Sequence, residues 1–153
     1  MTAAAPEIGQ AAPGLSSRNQ HGQRVSLADA RGGPVVLVFY PWAFSGICTG
    51  ELGALRDGLA RSRTDARVLA VSCDAMFSLR AFAEQERLTF DLLTDHWPHG
   101  EIARSYGVFD DELGVARRGS FVLDAHGVVA WRTLNGIGEA RDIAAHVAAA
   151  AAA

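Results

Sequence analysis

The chain has 153 residues, 49% of them hydrophobic and 20% charged, with a net charge of −3. That length suits one domain, 1–153, able to bury a sizeable core without a disulfide or metal staple. The acidic balance excludes the basic face that nucleic acid demands, and no apolar run is long enough to cross a bilayer.

The first fourteen residues carry Pro6, Gly9, Pro13 and Gly14 and read as an irregular arm. They hold neither a basic n-region nor an apolar h-region, so the expectation is a cytoplasmic protein without a signal peptide. Leu15 to Val25, centred on Asn19-Gln20-His21-Gly22, reads as a short hairpin. Ser26-Leu27-Ala28-Asp29 predicts one helical turn, broken by Gly32-Gly33-Pro34.

Val35-Val36-Leu37-Val38-Phe39-Tyr40 is a continuous apolar, β-branched and aromatic run, the pattern of a strand buried on both faces. Leu52, Leu55 and Leu59 then recur at helical spacing and predict a helix to about Arg63. Val68 to Ser72 reads as a second core strand. Met76 to Arg87 reads as a helix with Phe77, Leu79, Phe82 and Ala83 on its inner face. A strand over Thr89–Leu93, stopped by Thr94-Asp95, a short helix near Ile102–Tyr106 and a hairpin of Ser120–Asp124 with Val128–Thr133 follow. Glu139 to about Val147 closes the chain as a helix, and the alanines at 148–153 either continue it or fray. A βαβ unit followed by a hairpin and a helix makes a mixed sheet with helices on both faces. The expected class is therefore α/β, a thioredoxin-like fold with an N-terminal β-hairpin extension and an insertion before the last hairpin.

Cys48 stands where the first buried strand gives way to a helix. The free N–H groups and the dipole of a helix start favour a thiolate there. Gly46 lets the backbone turn tightly, and the Ser45 hydroxyl lies three residues before the thiol. No His is near it in sequence and the chain has no Lys, since all 14 basic residues are Arg; a further activating cation must be an arginine from elsewhere. A lone cysteine is otherwise a small buried hydrophobe. With only Cys48 and Cys73 in the chain, a Cys-x-x-Cys disulfide reductase is disfavoured.

Pro41-x-x-x-Ser45-x-x-Cys48 matches the Pro-x-x-x-Thr/Ser-x-x-Cys motif of the peroxiredoxins, and Arg118-Gly119-Ser120-Phe121 matches the Arg-Gly-x-Phe run of that family. The chain resembles the family along nearly its whole length. Tyr40–Cys48, Leu92–Gly100 and Tyr106–Phe109 look most like the one-cysteine alkyl hydroperoxide reductase E subfamily of actinobacteria. The resemblance implies a thiol-dependent peroxidase, without cofactor, acting on hydrogen peroxide, organic hydroperoxides or peroxynitrite through a Cys48 sulfenic acid. It implies that Ser45, Arg118 and the N–H groups of Ile47 and Cys48 hold the peroxide oxygens, with Pro41 shielding the thiol. It further implies an external reductant, mycothiol with a mycoredoxin or thioredoxin, and a homodimer or larger assembly. Trp42, Phe44, Trp97 and Phe109 lie near the pocket or the dimer contact by the same token, or simply pack. The alternative function is a redox sensor whose Cys48 oxidation controls partner binding.

Glu51, one turn beyond Cys48, either orients the arginine or is a solvated first-turn acid. Cys73 either resolves the sulfenic acid, which requires the two Cα atoms within ~7 Å, or is a buried strand-end thiol. Arg117 points away from Arg118 and reads as a surface charge. The spacing of His96 and His99 matches no zinc pattern, and Gly136-Ile137-Gly138 lacks the context of a phosphate loop.

Overall fold

A computed structural model describes residues 3–62 and 64–153. Strands β1 (Ser16–Arg18) and β2 (Arg24–Ser26) form the expected hairpin, and a 3-10 turn covers Ala28–Ala30. They are followed by β3 (Val35–Phe39), α1 (Gly46–Ser62), β4 (Arg67–Ser72), α2 (Met76–Glu86), β5 (Asp91–Thr94) and α3 (Glu101–Ser105). Next come β6 (Phe109–Asp110), β7 (Val115–Ala116), β8 (Arg118–Leu123), β9 (Val129–Asn135) and α4 (Ile143–Ala152). The predicted end of the first long helix, Arg63, lies outside the described residues.

The central sheet has the order β5-β4-β3-β8-β9. β3, β4 and β5 run parallel, and β8 and β9 are antiparallel additions. Two successive crossovers move in the same direction, β3 to β4 to β5, and right-handedness then puts α1 and α2 on one face. Leu52, Leu55, Leu79, Phe82 and Ala150 pack there with Val36, Val38, Ala70, Leu92 and Val122, so α4 shares that face. The opposite face, Val35, Leu37, Phe39, Leu69, Val71 and Phe121, is covered by α3 and the β1–β2 hairpin through Ile102, Ala103, Leu15 and Val25. Side chains alternate across a strand, so a β3 buried on both faces must be apolar at every position, as it is. Each fully buried Leu or Val contributes roughly 1.5–3 kcal/mol.

The structure corrects two expectations and adds two details. Phe77 is 70% exposed, while Leu79, Phe82 and Ala83 are buried. Two residues is about 200° around a helix, so Phe77 and Leu79 cannot share a face. The last helix begins at Ile143 rather than Glu139, capped by Asp142, whose Oδ1 accepts the Ala145 N–H at 3.2 Å. The alanines at 148–152 continue it. The ladder of β6 with β7 is two residues long, too short to leave a periodicity.

Candidate active site

β3 delivers the chain into a short loop that is held at both ends. Tyr40 and Pro41 are buried, and the Tyr40 N–H donates to the Val71 carbonyl at 3.0 Å. The Ala43 N–H donates to Asp74 Oδ2 at 2.9 Å, and the Ser72 hydroxyl orients the same oxygen at 2.7 Å. Phe44 sits at φ 69°, a left-handed conformation that costs a residue with a Cβ of order 1 kcal/mol. Its ring meets Phe82 edge-on at 5.1 Å. The loop then turns into α1, whose first backbone bond runs from the Thr49 N–H to the Ser45 carbonyl at 2.9 Å. The N–H groups of Ile47 and Cys48 precede that bond and lack intrahelical acceptors. Cys48, in this first turn, is fully buried and is a free thiol.

Arg118 opens β8 and is only 2% exposed. Its Nη1 lies 3.2 Å from Cys48 Sγ and 2.6 Å from Glu51 Oε1, and its Nε donates to the Ile137 carbonyl at 2.6 Å. Glu51 lies three residues after Cys48 and so projects from the same side of α1. A second buried cation, Arg141, closes on Glu51 from the far side. Its backbone N–H and Nε reach Oε2 at 2.8 and 2.9 Å, and its Nη2 reaches Oε1 at 3.0 Å. Arg141 Nη1 donates to the carbonyls of Phe39 and Gly119 and to Ser120 Oγ, at 2.7, 3.0 and 2.9 Å. His146 extends the network, with Nε2 2.7 Å from Ser120 Oγ.

Burial opposes ionisation of Glu51, but the hydrogen bonds and charge of Arg141, and then the charge of Arg118, hold its carboxyl below the ordinary carboxylate range. Two guanidinium groups and one carboxylate leave a net charge of +1 inside the protein, facing a sulfur. A buried uncompensated charge is costly, so the cluster favours an anionic partner.

The structure brings Arg118 into direct contact with both Cys48 and Glu51. The Ser45 hydroxyl is turned to the backbone instead of the thiol, donating to the Trp42 carbonyl at 3.0 Å. The Ile47 side chain is 37% exposed, which leaves its backbone N–H as the group directed along the helix start. Cys73 is remote from this cluster. It packs in the core on the opposite face of the sheet from Cys48, so the two thiols are not paired. Burial, and then the charges of Asp95 and Asp74, push its thiol up to about 12.

Arg117 is exposed and 3.9 Å from Asp110. Phe109 is buried under the Arg104 guanidinium, and Trp97 is 84% exposed. His99 contacts the Gly114 carbonyl at 2.7 Å, and among the described residues no group of metal-ligating side chains gathers. Sequence reasoning missed Arg141, Ser120 and His146. Arg141 lies in a stretch that reads as the first turn of the closing helix, whereas α4 starts only at Ile143 and Arg141 is buried ahead of it. Ile137, weighed earlier only as part of a Gly-x-Gly pattern, supplies the carbonyl that holds Arg118.

A sequence model described as the AhpC/TSA family matches residues 8–132. Alkyl hydroperoxide reductase E of Mycobacterium tuberculosis is 42% identical over 137 residues, which cover 88% of this chain and 90% of that protein. Among solved structures, AhpC of Enterococcus faecalis superposes with a TM-score of 0.86 at 28% identity, covering 96% of this chain and 92% of that one. Peroxidoxin BcpB of Mycobacterium tuberculosis gives a TM-score of 0.80 at 28% identity, covering 96% and 95%.

Proposed function

The chain belongs to the AhpC/TSA family, whose members are peroxiredoxins, and from that premise we propose that Cys48 is the thiol with which it reduces peroxides. It is a thiol-dependent peroxidase. The observation that carries the residue assignment is the Arg118 guanidinium at 3.2 Å from the Cys48 sulfur, itself anchored on Glu51.

The Cys48 thiolate attacks the near oxygen of a hydroperoxide ROOH along the O–O axis. A sulfur–oxygen bond forms, the O–O bond breaks, and the electron pair leaves with the far oxygen, which takes a proton to become ROH. Cys48 is left as the sulfenic acid. Negative charge moves from sulfur to the departing oxygen. Arg118 and the unpaired N–H groups of Ile47 and Cys48 already surround the place where that charge travels, and they need no reorganisation to meet it. Glu51 holds Arg118 in register and Arg141 holds Glu51. Ser45 contributes once its hydroxyl rotates away from the Trp42 carbonyl, and Pro41 keeps bulk water off the sulfur.

One thiol then condenses with the sulfenic acid to a mixed disulfide and water, and a second thiol releases Cys48. The opposite-face position of Cys73 supports an external reductant over an internal one. Mycothiol with a mycoredoxin, or thioredoxin, is the proposed source, in a cytoplasmic setting. Among the described residues no helix is long and apolar enough to cross a membrane. Trp42, Phe44 and Ile47 on the Cys48 loop, and Phe77 at the start of α2, are exposed apolar side chains that support pairing with a second copy of the chain. The relatives do not favour the alternative of a redox sensor.

Peroxide consumption with a supplied thiol tests the reading. The wild type turns over and Cys48→Ser does not; peroxide reduction by Cys48→Ser would remove Cys48 from the mechanism.

A further inference from the structure

The hydrogen-bond chain that starts at Cys48 does not stop at Arg141. Arginine only donates, so the Arg141 Nη1–H···Oγ contact of 2.9 Å makes Ser120 an acceptor. The Asp142 carbonyl only accepts, so at 2.7 Å it fixes the His146 proton on Nδ1. Nε2 of the neutral ring is then a lone pair, and the Ser120 hydroxyl donates into it at 2.7 Å. Every link is therefore polarised in one direction, from Arg141 to Ser120 to His146. The ring has no accessible surface and lies against Trp131, with centroids 4.8 Å apart.

Resting on the assignment of Cys48 made above, we propose that His146 is a positioning residue for peroxide reduction, and that only its neutral Nδ1–H form completes the relay through Ser120, Arg141 and Glu51 to Arg118. An imidazolium turns Nε2 into a second donor aimed at Ser120 Oγ. The serine hydrogen then has no acceptor in the relay. A second positive charge also joins a cluster that already carries one in excess. The added charge repels Arg141, the residue that grips both Glu51 oxygens. Glu51 and Arg118 lose their register behind the sulfur.

The charged groups facing His146 are Glu51 from α1 and Arg141 and Asp142 from the segment before α4, while β8 and β9 present Ser120 and Trp131. Burial foremost, and the Arg141 charge with it, holds the imidazole below the ordinary histidine value. The Asp142 carbonyl bond, Glu51 and Asp142 pull the other way.

The test is the rate of Cys48 oxidation by excess hydrogen peroxide in single turnover across the acid range, quenched with an alkylating reagent and read by peptide mass. Protonation of His146 makes the logarithm of the wild-type rate fall more steeply toward acid than it does without the relay. His146→Gln, whose amide oxygen accepts the Ser120 hydrogen but does not titrate, should lose that added steepness and give a slope shallower by up to one. Ser120→Ala cuts the relay in its middle and should show the same shallower slope, with a plateau about tenfold lower because a buried acceptor is left unpaired. Wild-type slopes in both variants would overturn the proposal. So would a nitrogen-15 spectrum of the wild type showing the neutral His146 proton on Nε2, a measurement that requires no variant to fold. Cys48→Ser in the peroxide-consumption assay with a supplied thiol keeps the two readings apart. If it consumes peroxide, the Cys48 assignment fails; if it is inert while the slopes stay equal, only the role of His146 fails.

Discussion

The two cysteines of this chain are both buried and both free, and their surroundings are opposite. Cys48 lies in the first turn of α1, on the face shared by the three long helices, with Arg118 at 3.2 Å and a net positive cluster behind it. Cys73 lies just past the end of β4 on the other face, among apolar side chains, with Asp74 and Asp95 as its charged neighbours. Burial alone disfavours an anion at either place. What separates them is the sign of the neighbouring charge and the presence of a helix start, which is the physical content of the word reactive when applied to a thiol.

The contrast can be broken in several places. Its extreme form is chemical: Cys48→Ser should reduce peroxide at the uncatalysed background rate, whereas Cys73→Ser should retain turnover. Loss of activity in Cys73→Ser, or a Cys48–Cys73 disulfide found by peptide mass after one equivalent of peroxide, would place Cys73 in the cycle. Arg118→Ala should slow Cys48 oxidation by roughly 10²-fold, the scale of losing one donor to developing charge. An unchanged rate and pH profile in stopped-flow would leave the nearby cation without a role. Glu51→Gln leaves two buried guanidinium groups without their counter-charge and should cost about 3 kcal/mol in urea unfolding, besides slowing oxidation. Equal urea midpoints would mean the cluster relaxes by admitting water.

The smallest effect concerns the Cys73 side. Burial first, against its bonds from the Ala103 and Ile102 N–H groups, pushes Asp95 up to about 6 from 3.8. The native state therefore holds a proton that the unfolded chain has lost between those values. By linkage this contribution to stability is present in full below 3.8 and disappears as the pH rises through 6. Asp95→Asn should flatten that slope by about 1 kcal/mol per pH unit between those values in pH-dependent unfolding. A slope identical to wild type would assign it to other carboxyl groups.

Much of this contrast is legible in one dimension. The run Val35–Tyr40 has to be a strand buried on both faces, and Leu52, Leu55 and Leu59 have to make a helix. Cys48 therefore has to sit at a strand-to-helix junction. Arg118 comes from the Arg-Gly-x-Phe pattern, since no cation lies near Cys48 in sequence. Glu51 is half legible: its spacing puts it beside Cys48, but whether a first-turn acid faces water or core depends on what packs there. Phe77 and the start of α4 were misjudged because hydrophobicity alone does not say which side of a helix end is covered. Arg141 and His146 were invisible because buried polar residues carry no periodic mark.

The sequence by itself determined the α/β alternation, the strand at the core and the place of the reactive thiol, because these follow from local periodicity and from chain connectivity. Only the tertiary structure decided what surrounds that thiol. Arg118, Glu51, Arg141, Ser120 and His146 are separated by as many as 90 residues between bonded partners, and they converge because β8 pairs with β3 and α4 packs on α1. A hydrogen bond has direction and a short reach, so it exists only once the backbone has brought its two ends within about 3 Å of one another.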